Sequence, residues 1–355
     1  MHSPLLDEEQ HQFVEEVRRF AVEDLADPAF DEREAAGEFW HDGWSRCAER
    51  GLCGLPAPRE AGGAGASRVT TAAALEALGY GCPDAGLLFS INAHMWSAVV
   101  PIWKHGSDEQ RERYLRRLAS GEWVGLHAMT EPDSGSDAFA LRTVAEPDGD
   151  GWVLRGRKTF ITNAPLARLL IVFARAPGSE GPLGVSAYLV EAGAKGLSVD
   201  RPADKMGLRT SPMADVVLEG VRVGREALLG RPGRGASVFG SSMEWERLLI
   251  MAAQLGALER ALDEAAPDGA VDALVDTRVA LDAARALLYE TAWAYDHGER
   301  RPGRAAAVKL LASETVLRAT LTLDDGRRMS DAVGGRLYSG TSQMMRRLVA
   351  RDMGL

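Results

Sequence analysis

Cysteine is nearly absent from this chain of 355 residues: Cys47, Cys53 and Cys82 are odd in number and lack CxxC spacing. That excludes a disulfide framework or a thiolate zinc site, leaving packing or inert thiols as the expected role. The histidines form no HExxH and no close pair with a third ligand, so no metal site is expected. His94 and His127 are read as hydrogen-bonded structural histidines. Lysine is scarce beside arginine, and the net charge of −10 leaves no overall basic surface, which excludes nucleic acid as a partner. It does not exclude a phosphorylated cofactor, which local N–H groups and a few arginines can hold. Long apolar runs are also missing. Nothing approaches the ~20 residues of a bilayer span, so no membrane partner is expected; the best run, Leu169 to Ala174, is of strand length. The opening MHSPLLDEEQHQFVEE is acidic and lacks the basic-then-apolar order of an export signal, so a cytoplasmic location is expected.

What is present is a globular composition, 46% hydrophobic and 26% charged, in a chain long enough for two or three domains. Phe13, Val17, Phe20 and Leu25 recur at helical spacing, and the first part reads as helix to about residue 122. Its glycine-rich EAGGAG (Glu60 to Gly65) lacks a strand–GxGxxG–helix context and reads as a structural turn. From Trp123 to Gly230 short strands take over. Thr143 to Ala145 and Trp152 to Arg155 flank PDGDG as a hairpin, with Asp148 and Asp150 in a solvated turn. Leu169 to Ala174, Val185 to Val190 and Asp215 to Leu218 are further strands. Helix returns after Gly235, over Ala236 to Ala266, Val271 to Ala294 and Arg304 to Leu321, with a break at Pro267 to Gly269 and a last short helix carrying Met344 to Arg351. The expected fold is α+β, mostly α: an N-terminal helical domain (1–122), a middle β-barrel-like domain (123–230) and a C-terminal helical bundle (231–355).

Three segments carry the chemistry. In LHAMTEPDSGSD (Leu126 to Asp137) a strand-like lead-in runs into a turn of Pro132, Asp133, Ser134 and Gly135. This turn presents backbone N–H groups and the hydroxyls of Thr130, Ser134 and Ser136 to a small polar ligand. GRKTFITNA (Gly156 to Ala164) places an aromatic, Phe160, beside a hydroxyl, Thr162. The third segment is LYSGTSQMMRRLVAR, near the C-terminus. Together, and in this order between helices, β-domain and helices, they resemble the acyl-CoA dehydrogenase family across nearly the whole chain. The resemblance implies FAD-dependent α,β-dehydrogenation of an acyl thioester. It implies FAD contacts at Thr130, Ser136, Phe160, Thr162, Tyr338, Thr341 and Gln343, and substrate contacts at Ser136, Arg247, Ser339 and Gly340, with the Ser339 N–H helping to polarise the thioester carbonyl. Arg209, in KMGLR, is read as structural or at a domain junction.

Such a reaction needs a base for the α-proton, donors for the carbonyl and a hydride acceptor, which no side chain provides. Many family members place the catalytic glutamate immediately before Gly-Thr, where this chain has Ser339. The isovaleryl- and long-chain-type branch supplies it from a bundle helix within a sequence like E-R-L; MEWERLLIM here has Glu246 at that position. Independently, Phe239, Met243, Ile250, Ala253 and Ala257 fall on one helical stripe that includes Glu246. A carboxylate in an apolar stripe loses hydration, which raises its pKa toward a useful range for a general base. The competing role is a structural glutamate paired with an arginine.

Two family segments are missing: an Arg-x-x-Phe-Gly loop, replaced by PDGA, and a Gln-x-x-Gly-Gly stretch before SDAVGGRLYSGT. Both normally serve the adenosine half of FAD or the subunit interface. Looser FAD retention or altered assembly is expected of such a trimmed chain, with a homodimer or homotetramer as the expected state. Trimmed, arginine-rich relatives imply bacterial secondary metabolism and a substrate on acyl-CoA or an acyl carrier protein. The resemblance implies an electron-transferring flavoprotein or O2 as the electron acceptor. Alternatives are a same-fold flavin oxidase or monooxygenase, and a degenerate non-redox member that only binds an acyl carrier.

Overall fold

The structure, a computed structural model, describes residues 4–265, 271–323 and 326–355. The expected break at Pro267 to Gly269 and the PDGA replacement lie outside the described residues, as do Asp324 and Asp325 beside the second missing stretch. Helices open and close the chain around a mixed sheet. The first helix, Glu8–Glu23, starts at a capping box in which Asp7 and Gln10 satisfy each other's backbone N–H groups. It buries Val14, Val17, Phe20 and Ala21, the stripe its periodicity marks. Helix Arg68–Gly81 packs on it and is buried nearly all round. Helix Ala85–His105, with a π turn at Met95–Val99, passes through the core. By length and composition this helix could cross a bilayer, although the sequence shows no unbroken run of that kind. Inside the fold 83% of its apolar window is buried, which marks a core helix.

The sheet has eight strands: β1 (Gly125–Ala128), β2 (Val144–Asp148), β3 (Gly151–Thr162), β4 (Leu169–Arg175), β5 (Val185–Glu191), β6 (Leu197–Val199), β7 (Met213–Val223) and β8 (Leu228–Leu229). Its order is β6-β7-β3-β2-β4-β5-β8, with β1 parallel to β4. The expected hairpin is β2–β3, closed by Gly149 and Asp150 with Asp148 opposite Gly151. Arg222 pairs with Asp148, so the turn aspartate has an ion-pair partner as well as solvent. Leu169, Ile171 and Phe173 of β4 face a core shared with helix Ala85–His105, and Leu170, Val172 and Ala174 face the interior of the sheet. Burial on both faces is why β4 reads as an unbroken apolar run.

One expected element is corrected. Ala236 to Ala266 is not one helix but two, Gly235–Leu249 and Ala252–Glu264, with a turn at Ile250 and Met251. The stripe through Glu246 therefore ends at Ile250, and Ala253 and Ala257 belong to the second helix. The break lets that second helix meet Arg68–Gly81 backbone to backbone. A Cβ on Gly79 would sit 1.7 Å from the Ala253 carbonyl oxygen, and one on Gly256 would sit 1.9 Å from that of Glu76. Helices Val271–Asp296, Pro302–Thr322, Gly326–Gly335 and Ser342–Asp352 complete the C-terminal part.

Candidate active site

Glu246 lies on the last turns of helix Gly235–Leu249. Its Oε1 accepts a 2.6 Å hydrogen bond from the Ser339 hydroxyl. Its Oε2 is buried with no partner among the described residues. Burial raises the carboxyl pKa, while the Ser339 bond and the charges of Arg247 and Lys309 pull it back. The competing reading, a structural glutamate paired with arginine, finds no ion pair among the described residues: Arg247 instead turns its Nε to the Ser339 carbonyl at 3.3 Å.

The serine sits at a strained corner. Ser339 has φ +57° and Gly340 φ +97°, a left-handed pair in which the serine costs about 1–3 kcal/mol. Lys309, fully buried on helix Pro302–Thr322, donates to the Gly340 carbonyl at 2.7 Å and holds the corner from below. On one flank Tyr338 packs its ring on Phe89 at 4.6 Å, and its hydroxyl accepts from Gln254 Nε2 at 2.9 Å. On the other flank the Thr341 side chain caps helix Ser342–Asp352 through Met344 N–H at 3.2 Å. That hydroxyl already has a structural task, and Gln343 lies exposed on the helix's first turn.

The second cluster belongs to the sheet. Thr159 N–H donates to the Thr130 carbonyl at 2.9 Å, tying the LHAMTEPDSGSD loop to β3. Beneath them Lys158 and Glu131, both buried, form a 2.7 Å ion pair. Glu131 also accepts from the backbone N–H groups of Arg142 and Thr143, and Lys158 donates to the Met129 carbonyl. Burial lowers the Lys158 pKa to about 8, while Glu131 raises it. Between Lys158 and Ile161 the β3–β7 register slips, and Phe160 emerges with φ +56° and 66% exposure. An exposed aromatic held in that backbone region is the kind of strain that marks a binding surface. Thr130 and Thr162 are half-buried. In the turn, Ser136 is exposed, whereas Ser134 is buried with a hydroxyl that has no partner among the described residues.

Packing joins the two clusters. Phe239, on the helix that carries Glu246, contacts His127 of β1, Phe139 of the loop and Phe173 of β4 at 5.5, 6.1 and 5.7 Å between ring centroids. At the far end of β3, Asn163 donates to the Ser90 carbonyl at 2.9 Å, one residue from the Phe89 that packs on Tyr338. The structure thus gathers Glu246, Arg247, Tyr338, Ser339 and Gly340 into one cluster and Thr130, Phe160 and Thr162 into another. Sequence reasoning missed Lys309 and the Glu131–Lys158 pair, whereas it had named the Ser134 hydroxyl with those of Thr130 and Ser136.

His94 lies buried in the core and His127 half-buried. His94 Nδ1 accepts from Gly125 N–H at 2.9 Å and Nε2 lies 2.9 Å from the Leu118 carbonyl, which fixes a neutral ring. Burial lowers both His94 and His127 to about 4. Arg209 ties the loop before β7 to helix Phe30–Ala36 through the carbonyls of Glu34 and Ala35, the junction expected of it.

Comparison with known proteins places this geometry in a family. Residues 7–122, 127–221 and 269–354 match the N-terminal, middle and C-terminal domains of acyl-CoA dehydrogenases. An L-prolyl-[peptidyl-carrier protein] dehydrogenase of Pseudomonas fluorescens is 36% identical over 88% of this chain and 90% of that protein. The crystal structure of the prolyl acyl carrier protein oxidase AnaB superposes with a TM-score of 0.95 at 34% identity, covering 99% of this chain and all of that one. PigA with FAD and proline superposes with a TM-score of 0.95 at 30% identity, covering both chains in full. The chain belongs to the acyl-CoA dehydrogenase family.

Proposed function

We propose that this FAD-dependent acyl-thioester dehydrogenase uses Glu246 as the base that removes the α-proton of a thioester carried on an acyl carrier protein. The observation that carries the reading is the Glu246 carboxylate: one oxygen is held by Ser339 at 2.6 Å and the other is buried and unsatisfied. A carboxylate in that state is oriented, poorly hydrated and free to accept a proton at Oε2. In this reading the Ser339 hydroxyl stabilises the ionised base, and Ser339 N–H and Gly340 lie along the thioester. Arg247 braces the corner through the Ser339 carbonyl while its charge helps to keep Glu246 ionised.

Bound FAD supplies the hydride acceptor that the side chains lack. The residues present fit it: the half-buried Thr130 and Thr162 hydroxyls have no protein partner among the described residues. Phe160 offers an exposed ring on the same strand, and the Ser134 hydroxyl is buried and unpartnered. Ser136, Tyr338, Thr341 and Gln343 remain assigned to this surface on family resemblance. The Thr341 hydroxyl can serve it only in addition to its capping bond.

The carrier-bound substrate rests on likeness to relatives named for prolyl-carrier dehydrogenation. The name oxidase for AnaB puts O2 beside an electron-transferring flavoprotein as acceptor. The test is to mix the yellow holoenzyme anaerobically with prolyl and acyl thioesters, each on a carrier protein and on CoA. Rapid flavin bleaching by a carrier-bound thioester supports the reading. Bleaching by CoA thioesters alone overturns the carrier assignment. Peroxide formed on admitting air identifies the oxidase branch. We further propose self-association through helix Val271–Asp296, whose Val271, Val275 and Val279 form an exposed apolar row one turn apart. Light scattering should show a dimer or tetramer at micromolar concentration; a stable monomer contradicts it.

A further inference from the structure

Lys309 is a fully buried cation beside the Ser339–Gly340 corner. Helix Pro302–Thr322 surrounds it with buried Ala305, Ala306, Val308 and Ala312, and it has no exposed surface. Its Nζ donates to the Gly340 carbonyl at 2.7 Å and lies 5.6 Å from the centre of the Tyr338 ring. No carboxylate among the described residues closes an ion pair on it. A buried ammonium costs several kcal/mol unless charges and hydrogen bonds compensate it, and one carbonyl is poor compensation. For pinning a loop alone, a neutral donor would serve at lower cost. The charge itself therefore needs an explanation, and Glu246, with its unsatisfied Oε2, is the group that supplies one.

We propose that Lys309 is the positioning residue of the base: it fixes the left-handed Ser339–Gly340 corner that offers its hydroxyl to Glu246, and its buried charge holds Glu246 ionised until the α-proton arrives. This rests on Glu246 being the base. Three elements bring polar or charged groups to the carboxylate. The corner contributes Ser339 and Tyr338, the base helix contributes Arg247, and helix Pro302–Thr322 contributes Lys309. Lys309 itself faces Glu246 and Glu314 as attracting charges and Arg247 as a repelling one, and burial brings its pKa down to about 8. Glu314 is occupied elsewhere, with Arg336 at 3.2 Å and the Ser342 hydroxyl at 3.2 Å. Glu246 is therefore the carboxylate left for Lys309 to balance.

The test is Lys309→Met, which keeps chain length and removes charge. In the flavin-loaded enzyme, the anaerobic rate of flavin reduction rises with pH as the base ionises. Without Lys309 that limb should move to higher pH by about one unit or more, because a nearby opposite charge lowers a carboxylate pKa by about 1–3 units. The rate should then recover toward the wild-type plateau in alkali. A readout without turnover is ¹³C NMR of carboxyl-labelled glutamate, with the Glu246 signal identified by its loss in Glu246→Gln. The same upward displacement is expected there. If Lys309→Met does not fold, Lys309→Gln keeps a donor for the Gly340 carbonyl and reads the same displacement. An unmoved limb and an unmoved titration in a folded neutral variant overturn the proposal, whatever the rate. Failure of the base assignment shows separately, as Glu246→Gln reducing flavin at the wild-type rate.

Discussion

At the scale of the residue, one hydroxyl does more than family resemblance implies. The resemblance assigns a role to the backbone N–H of Ser339, yet its side chain is the hydrogen-bond donor to Glu246. A hydrogen bond to a charged group contributes about 1.5–3 kcal/mol, and each pKa unit is about 1.4 kcal/mol. Ser339→Ala should therefore raise the base pKa by about one to two units and move the rising limb of flavin reduction to higher pH, with less effect on the alkaline plateau. A limb that stays in place would remove the hydroxyl from the account. Ser339→Glu in the wild type would set two carboxylates side by side and drive one pKa up, so any rescue belongs in a Glu246→Gln background. His127 gives a stability test of the opposite sign. Its folded pKa of about 4 lies below the ordinary 6.5, so the unfolded chain binds the proton first as pH falls between those values. Stability is full above about 6.5 and falls toward 4, on the order of 3 kcal/mol in all. His127→Phe should lose that acid sensitivity relative to wild type in denaturant titrations at several pH values; parallel curves would contradict it. Glu246 was legible because an isolated carboxylate interrupts an apolar stripe. Lys309 and the Glu131–Lys158 pair were not, because their partners lie across turns and strands that local periodicity does not register.

At the scale of the element, the sheet cluster depends on the buried ion pair beneath it. Lys158→Met leaves Glu131 buried without its cation, a change that costs about 3–5 kcal/mol when one partner of a buried pair is removed. The loop from Thr130 to Phe139 should loosen from β3, so the variant should unfold at lower denaturant and release FAD more readily on dialysis. Wild-type stability with wild-type flavin retention would show that the pair does not hold this loop. Strands were readable wherever composition alone decides: β4 is apolar throughout because both faces are buried, and the β2–β3 turn is announced by its Asp and Gly residues. The break at Ile250 and Met251 was not readable, because no glycine or proline marks it. It answers to the close approach of Gly79 and Gly256 to the opposing backbones, a tertiary demand. Gly256→Ala, placing a Cβ 1.9 Å from the Glu76 carbonyl oxygen, should cost about 1–3 kcal/mol or more in chemical denaturation.

At the scale of the whole molecule, the order helices, sheet, helices was legible from the change of period near Trp123 and its reversal near Gly235, and the family follows from it together with the three motifs. How the two clusters face each other was not, because that rests on Phe239 and Phe89, ordinary core aromatics in sequence. The central claim is that Glu246 takes the α-proton. It is tested most directly by anaerobic stopped-flow reduction of the flavin in Glu246→Gln, with a thioester that bleaches the wild type. The amide keeps the size of the side chain and can still pair with Ser339, so flavin and substrate should bind as before. Reduction should be slower by about 10²–10⁴-fold, the usual contribution of a general base. Reduction at the wild-type rate, with binding intact, would contradict the account.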